Sequence, residues 1–362
     1  MSLDAPAGLT PWTDRRTLGV LGMGSALPGR PVPTLELLER VERRFGAAVG
    51  RQGRALARRL NIETRHLCRD LAARHEAPRP GHSNPDLAAA ALRAALEQAR
   101  LQVRDLVYLI GHTTTPACLV PPNIALVADR LGFTGPYMEL RQACTGFASA
   151  LVIAQGLASA PGAGPIGIVG SETGSVYFDP QRVGRDSGQL VNLIQMGDGA
   201  AAIIVAREAS ARGACLANNF FGQVGLGRKP GMTLATGGSD APVVDAGVLE
   251  FEHDYAAVSA GGPDLFHHGA TVARSLGVGV ESMDHVIPHQ ANGRMAEILR
   301  RHLGLELRRV FVNADRLANT GSAAIWLALA ELRPSLDPGA RVLALGAEAT
   351  KFMFGGFSYV HG

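Results

Sequence analysis

Cys144 is followed by Thr145, Gly146 and Phe147. It stands between an apolar stretch, Tyr137 to Leu140, that reads as a strand end, and a small-residue apolar run, Ala148 to Leu157, whose composition predicts a buried helix. A thiol at such a turn meets the unpaired N–H groups and partial positive charge of the helix start, which favours the thiolate and lowers the pKa from the ~8.5 of a free cysteine. That sulfur could be a nucleophile, whereas a cysteine in apolar surroundings is otherwise an inert filler. Two more polar residues stand where apolar strands give way to helices: His289, after Val286 to Pro288, and Asn319, after Leu317 and Ala318. Strand-to-helix turns are where ligands meet α/β sheets. Alone, His289 equally fits a capping or core position, and Asn319 fits an N-cap. Together the three bring a sulfur nucleophile and two neutral hydrogen-bond donors to one place.

The elements that must position them alternate between strand and helix. Thr17 to Gly24 opens the chain as a buried strand, and residues 34–60 follow a helical pattern rich in arginine. A helix over Asp86 to Arg100, a strand over Asp105 to Ile110, a loop from Gly111 to Pro122 and a helix from Asn123 to Leu131 lead to the cysteine unit. Ile166 to Gly170 and Ala200 to Val205 add two strands. The order then repeats: Leu216 to Gly222, Asp284 to Pro288, Val310 to Asn313, Arg341 to Leu345 and Gly356 to Val360 match the strands of the first half in turn. Gly321 to Glu331 is the helix that pairs with the cysteine helix. The expected fold is α/β, with two pseudo-repeated halves, residues 1–206 and 207–362, whose sheets stack around buried helices. The glycine-rich residues 223–262 read as an irregular surface excursion near the substrate entrance.

Composition narrows the function class. At 362 residues, with 46% hydrophobic and 19% charged, the chain has the profile of a globular protein with a large core. Cys68, Cys118, Cys144 and Cys215 show no CxxC or histidine-paired spacing, which points away from disulfides and metal and toward a reducing compartment. Without a leader pattern or a membrane-length apolar run, a cytoplasmic location with no membrane role is expected. A net charge of +3 is too weak to suggest nucleic acid, and the glycines near residue 20 do not form a dinucleotide fingerprint.

The motifs resemble those of the thiolase-fold condensing enzymes, most closely the β-ketoacyl-acyl-carrier-protein synthase III family. The matching pieces are Thr64 to His66, Thr115 and Pro116, Pro121, Ala143 to Phe147, Gly197 to Ala200, Ile287 to Asn292 and Asn319 to Ala323, which span nearly the whole chain. The resemblance implies a thiolase-like fold, a homodimer, and no cofactor beyond the acyl-coenzyme A or acyl-carrier-protein thioesters that serve as substrates. It implies that Cys144 carries the acyl group as a thioester, while His289 and Asn319 act on the second substrate during a decarboxylative Claisen condensation with a malonyl-type thioester. Backbone N–H groups at Cys144 and in the loop Gly346, Ala347 and Glu348 are expected to hold the thioester oxyanion. Val120 and Phe147 are assigned to the acyl pocket. Arg294, Arg300 and Arg301 are read as a docking patch for an acidic carrier protein.

This chain departs from the family pattern at Glu348, which stands in a lengthened closing segment, and at Ala55, where a tryptophan that stacks on adenine is expected. The second departure favours a carrier-protein donor over coenzyme A. Val120, in place of a phenylalanine, favours a longer acyl chain. The pathway expected is fatty-acid or polyketide biosynthesis. Two other readings remain at this level: a non-condensing transfer of the acyl group to an alcohol or amine, with His289 as base and Glu348 assisting, and a non-catalytic partner subunit.

Overall fold

The computed structural model describes residues 9–71, 77–207, 213–234 and 251–362. The first half contains β1 (Trp12–Asp14), β2 (Leu18–Ala26), β3 (Val32–Pro33), α1 (Thr34–Phe45), α2 (Ala47–Leu60), β4 (Thr64–Arg65), α3 (Asn84–Ala99), β5 (Tyr108–His112), α4 (Asn123–Leu131), β6 (Tyr137–Leu140), α5 (Gly146–Ala158), β7 (Ile166–Glu172), α6 (Ser187–Gln195) and β8 (Gly199–Ala206). The helical stretch over 34–60 is broken into two because Gly46 adopts φ 90°, ψ 165° between α1 and α2. Helix α3 starts at a capping box, in which Asp86 accepts from the Ser83 N–H at 3.2 Å. It lies so close to β2 that a Cβ on Gly24 would come within 2.4 Å of the Ala91 carbonyl oxygen.

The second half contains β9 (Cys215–Gln223), β10 (Met232–Leu234), β11 (Phe251–His253), α7 (Tyr255–Ser275), β12 (His285–Pro288), α8 (Met295–Leu303), α9 (Ala314–Leu317), α10 (Ala324–Leu332), β13 (Arg341–Glu348) and β14 (Met353–Val360). The main sheet runs β12-β13-β14-β9-β2-β8-β7-β5-β6, with β1 beside β9. Counting only the main-sheet strands of each half from β2 and from β9, the first half is ordered third, second, fourth, fifth, first. The second half has the same order, with the parallel bridge between Val286 and Val310 in place of its third strand. The expected strand from Val310 to Asn313 is thus reduced to a single bridge. The halves meet where β2 pairs with β9 through Leu18 with Leu216 and Gly19 with Cys215.

Helices α5 and α10 form the middle layer. Phe147, Leu151 and Ala154 of α5 and Trp326 and Leu329 of α10 pack with Ile168 and Ile203 of one half and Val342 and Phe357 of the other. Alternate residues of the same strands face outward, so that Val169 and Ile204 pack under α3 and α4, and Leu343 and Leu345 pack under α7 and α8. The chain therefore has the stacked, two-half α/β architecture read from its sequence.

One segment differs from expectation. Residues 255–262, read as part of an irregular excursion, are the first turns of the 21-residue helix α7, which carries Pro263 in its interior. Asp254 caps it, accepting from the Ala257 N–H at 3.0 Å. The part of the excursion over 235–250 lies outside the described residues.

Candidate active site

Cys144 lies in the five-residue connection, residues 141–145, that joins β6 to α5, and Thr145 is the residue that precedes the helix. The turn is fixed from below by aromatic packing. Phe147 meets Trp326 edge-on at 5.9 Å and Phe357 at 5.6 Å, and the Trp326 Nε1–H donates to His112 Nε2 at 3.1 Å. Two glycines allow this approach: a Cβ on Gly146 would fall 2.6 Å from the His112 ring, and one on Gly346 would fall 2.6 Å from the Phe147 ring.

His289 follows β12, and its N–H donates to the Leu345 carbonyl at 2.7 Å, which continues the parallel ladder with β13 one step past the strand. The side chain is buried, and loss of hydration lowers its pKa from 6.5 to about 4. At neutral pH it is an uncharged imidazole. Its Nδ1 has no hydrogen-bond partner among the described residues.

Asn319 follows α9 after Ala318, which takes a positive φ of 58°. Its backbone is clamped on both sides: the N–H donates to Gln195 at 2.8 Å, and the carbonyl accepts from Gly197 at 3.0 Å. Gly197 must be glycine here, because a Cβ would lie 2.1 Å from the Leu317 oxygen. The Asn319 Oδ1 accepts the Gly321 N–H at 3.0 Å, which leaves the amide NH2 as the group free to donate.

These three side chains line one cavity of about 710 Å³. Two carboxylates stand in the same wall. Glu172, at the end of β7, accepts from the Thr114 N–H at 3.1 Å, the Thr115 hydroxyl at 2.5 Å and the Ser322 N–H and hydroxyl at 3.1 and 2.8 Å, so it ties the segment after Asn319 to the loop after β5. Burial raises its pKa. Glu348 accepts from the Thr145 N–H at 2.9 Å and its hydroxyl at 2.6 Å, from the Ala143 N–H at 3.4 Å and from the Thr350 hydroxyl. Burial, and then the charges of Glu348 and Glu172, push the Cys144 thiol well above its ordinary value. This reverses the expectation of a thiolate favoured by the helix start: burial penalises the charged form first, and Glu348, which takes the Thr145 N–H, adds negative charge at the turn.

Other expectations need correction. Gly346, Ala347 and Glu348 are not loop residues but the end of β13, paired with Gly355, Phe354 and Met353 of β14. Ala347 and Glu348 reach the cavity wall. Phe147 does not line the cavity; it is buried in the aromatic cluster of the middle layer. Val120 is 85% exposed on the loop before α4, away from the cavity lining. Of the basic run, Arg294 and Arg301 line the cavity and Arg300 does not. Arg308 pairs with Glu306 at 2.7 Å, and Arg309 donates to the backbone of Val280 at 2.6 Å.

Among the wall residues that escaped the sequence reading are Glu172 and Arg59. Glu172 closes an apolar strand at its carboxyl end, a position from which α/β folds often present functional groups, and that signal was available. Arg59, with its guanidinium 6.0 Å from the Tyr255 ring centre, comes from the surface of α2, and no local pattern marks it. Among the described residues no group of histidine, cysteine and carboxylate side chains could hold a metal ion, and no helix is long and apolar enough to cross a membrane.

Comparison with known proteins aligns with this geometry. The family model described as 3-oxoacyl-[acyl-carrier-protein] synthase III matches residues 138–222, and the model for the C-terminal part of the same enzymes matches residues 273–354. The chain is 33% identical over 277 residues to a β-ketoacyl-[acyl-carrier-protein] synthase III of Nitratidesulfovibrio vulgaris, covering 73% of this chain and 80% of that one. It is 32% identical over 355 residues to a 3-oxopimeloyl-[acyl-carrier-protein] synthase of Rhodothermus marinus, covering 94% of each. Among solved structures it is similar to the tetronic acid condensing enzyme AbyA1, with a TM-score of 0.81, 28% identity and coverage of 95% of this chain and 100% of that one.

Proposed function

Because this chain belongs to the β-ketoacyl-[acyl-carrier-protein] synthase III family, we propose that it condenses two thioesters through an acyl-enzyme on Cys144. The observation that carries this reading is the meeting of Cys144, after β6, His289, after β12, and Asn319, after the short helix α9, in one cavity. In the first half-reaction the Cys144 sulfur attacks the acyl thioester carbonyl, and the donor thiol leaves. In the second, a malonyl-type thioester loses carbon dioxide, and the resulting carbanion attacks the acyl carbon and releases Cys144. Negative charge gathers on the enolate oxygen in that step. The neutral His289 imidazole and the Asn319 NH2 are suited to meet it, each such donor being worth about 3–4 kcal/mol in a water-poor site.

A carrier-protein thioester is the proposed donor. Arg294 and Arg301, both on the cavity wall and largely exposed, supply the positive charge that an acidic carrier would meet, and Ala55 offers no ring for an adenine. A homodimer is proposed as well, on the support of Leu119 and Val120, 53% and 85% exposed on one loop, which a second copy would cover. Transfer to an alcohol or amine with help from Glu348 is less well supported, since the Glu348 oxygens are occupied by Thr145, Ala143 and Thr350.

Intact-mass measurement with a panel of acyl thioesters, with and without a malonyl thioester, tests the reading. A mass increment of the acyl group that disappears when malonyl thioester is added, with a β-ketoacyl product, is the expected result. An increment that is discharged only by alcohols or amines would replace condensation with simple transfer.

A further inference from the structure

Glu348 stands at the last position of β13 and is 2% exposed, a rare burial for a carboxylate that has no cationic partner among the described residues. Its hydrogen bonds go to the nucleophile turn from both sides: one oxygen accepts the N–H of Ala143, the residue before Cys144, and the other accepts the N–H and hydroxyl of Thr145, the residue after it. We propose that Glu348 is a positioning residue that seats Cys144 and holds its side chain as a neutral thiol until an acyl donor arrives. The proposal rests on the reading of Cys144 as the acylated nucleophile and assigns Glu348 the part that reading leaves open.

The surroundings support it. A helix start ordinarily lends a cysteine unpaired N–H groups and positive potential. Here the Thr145 N–H, next to the first residue of α5, is spent on a carboxylate, so the potential at the sulfur is set by that carboxylate instead. The titratable groups around the turn are Glu348 from β13, Glu172 from β7, His289 after β12 and His112 from β5, with Arg141 of the same connection paired to Glu139 at 3.3 Å. Burial keeps both imidazoles uncharged at neutral pH, with pKa values of about 4 and about 3. Arg59, Arg294 and Arg301 line the same cavity, but of the charged wall groups Glu348 is the one bonded to the turn of the sulfur; the raised pKa of Cys144, which follows burial first and then the charges of Glu348 and Glu172, agrees. A resting thiol is a poor target for oxidants and stray electrophiles. On acylation the Sγ–carbon bond forms, the donor carbon–sulfur bond breaks, and the Cys144 proton ends on the departing thiol.

The test is the pH dependence of Cys144 alkylation by iodoacetamide, followed by peptide mass. This readout needs no acyl donor, so it fails or succeeds independently of the proposed condensation. Glu348→Gln keeps the shape and an acceptor but removes the charge, and should lower the alkylation midpoint by about 1 pH unit, or speed alkylation about tenfold at a fixed pH below it. Glu348→Asp keeps the charge and should keep the high midpoint. An unchanged midpoint in Glu348→Gln, or an equal drop in both variants, overturns the proposal. Should Glu348→Gln not fold, Thr350→Val leaves β13 intact and strips one donor from the carboxylate; the midpoint should then rise, and a midpoint that stays or falls overturns the proposal.

Discussion

The Gly321 N–H holds the Oδ1 of Asn319 at 3.0 Å and so decides which end of that amide faces the cavity. A donor fixed in this way serves an oxygen that gains negative charge, and adds little to a step in which the sulfur makes the first bond. Asn319→Ala should therefore leave acylation of Cys144 intact, while decarboxylation of a malonyl thioester falls by about 10²–10³ for one lost donor. Mass spectrometry of the acyl-enzyme, run beside a carbon dioxide release assay, separates the two. Equal loss of both would mean that the turn itself had collapsed.

Cys144→Ala should abolish the acyl adduct altogether. The other cysteines offer no substitute, since none of Cys68, Cys118 and Cys215 lines the cavity. A covalent acyl group found on that variant would remove Cys144 from its assigned role.

Charge reversal at Arg294 and Arg301 should weaken the reaction with an acyl-carrier protein in proportion to falling salt, and leave the reaction with a small thioester analogue almost unchanged. Arg294 is also engaged with Glu297 at 3.2 Å, so the single Arg301→Glu variant is the cleaner measurement. Identical responses with both donors would reduce the patch to a solvated surface.

Burial of neutral His289 couples stability to pH. Its folded pKa of about 4 lies below its unfolded value of 6.5, so below pH 6.5 the unfolded chain binds the proton first. Stability from this site is complete above pH 6.5 and is lost as pH falls toward 4, to the extent of about 3 kcal/mol. His112 adds a loss of the same sign, with its folded value at about 3, so the contribution of His289 is read as the difference between wild type and His289→Asn. Urea midpoints from pH 7.5 to 4 should converge for the two proteins on acidification; parallel curves would mean that His289 is charged in the folded state.

The fold was legible where apolar periodicity and turn residues agreed. The strand Tyr137–Leu140 and the helix Asn123–Leu131 stand where the residue pattern put them, and the matched order of strands in the two halves carried the architecture. The start of helix α7 was hidden because it lies in the glycine-rich stretch 223–262, although a helix can absorb Gly261 and Gly262 when its far face packs on the sheet. Residue type at successive turns singled out Cys144, His289 and Asn319, and the three line one cavity. What local pattern could not supply was the charge around them. Glu348 acts on Cys144 across more than two hundred positions of chain, and its effect on the thiol opposes the helix-start argument that residues 137–157 make on their own.

The aromatic cluster of Phe147, Trp326 and Phe357 spans the boundary between the half that carries the sulfur and the half that carries the imidazole and the amide. Condensation demands that groups from both sides meet one reacting atom within a fraction of an ångström, whereas loading the sulfur depends chiefly on its own turn. The cluster is in effect the hinge pin of a two-part tool, and wear in a pin shows as misalignment before breakage. A Trp326→Leu protein should then fold, accumulate acyl-enzyme by mass and yield little product, a lesion of alignment produced by a side chain that touches no substrate.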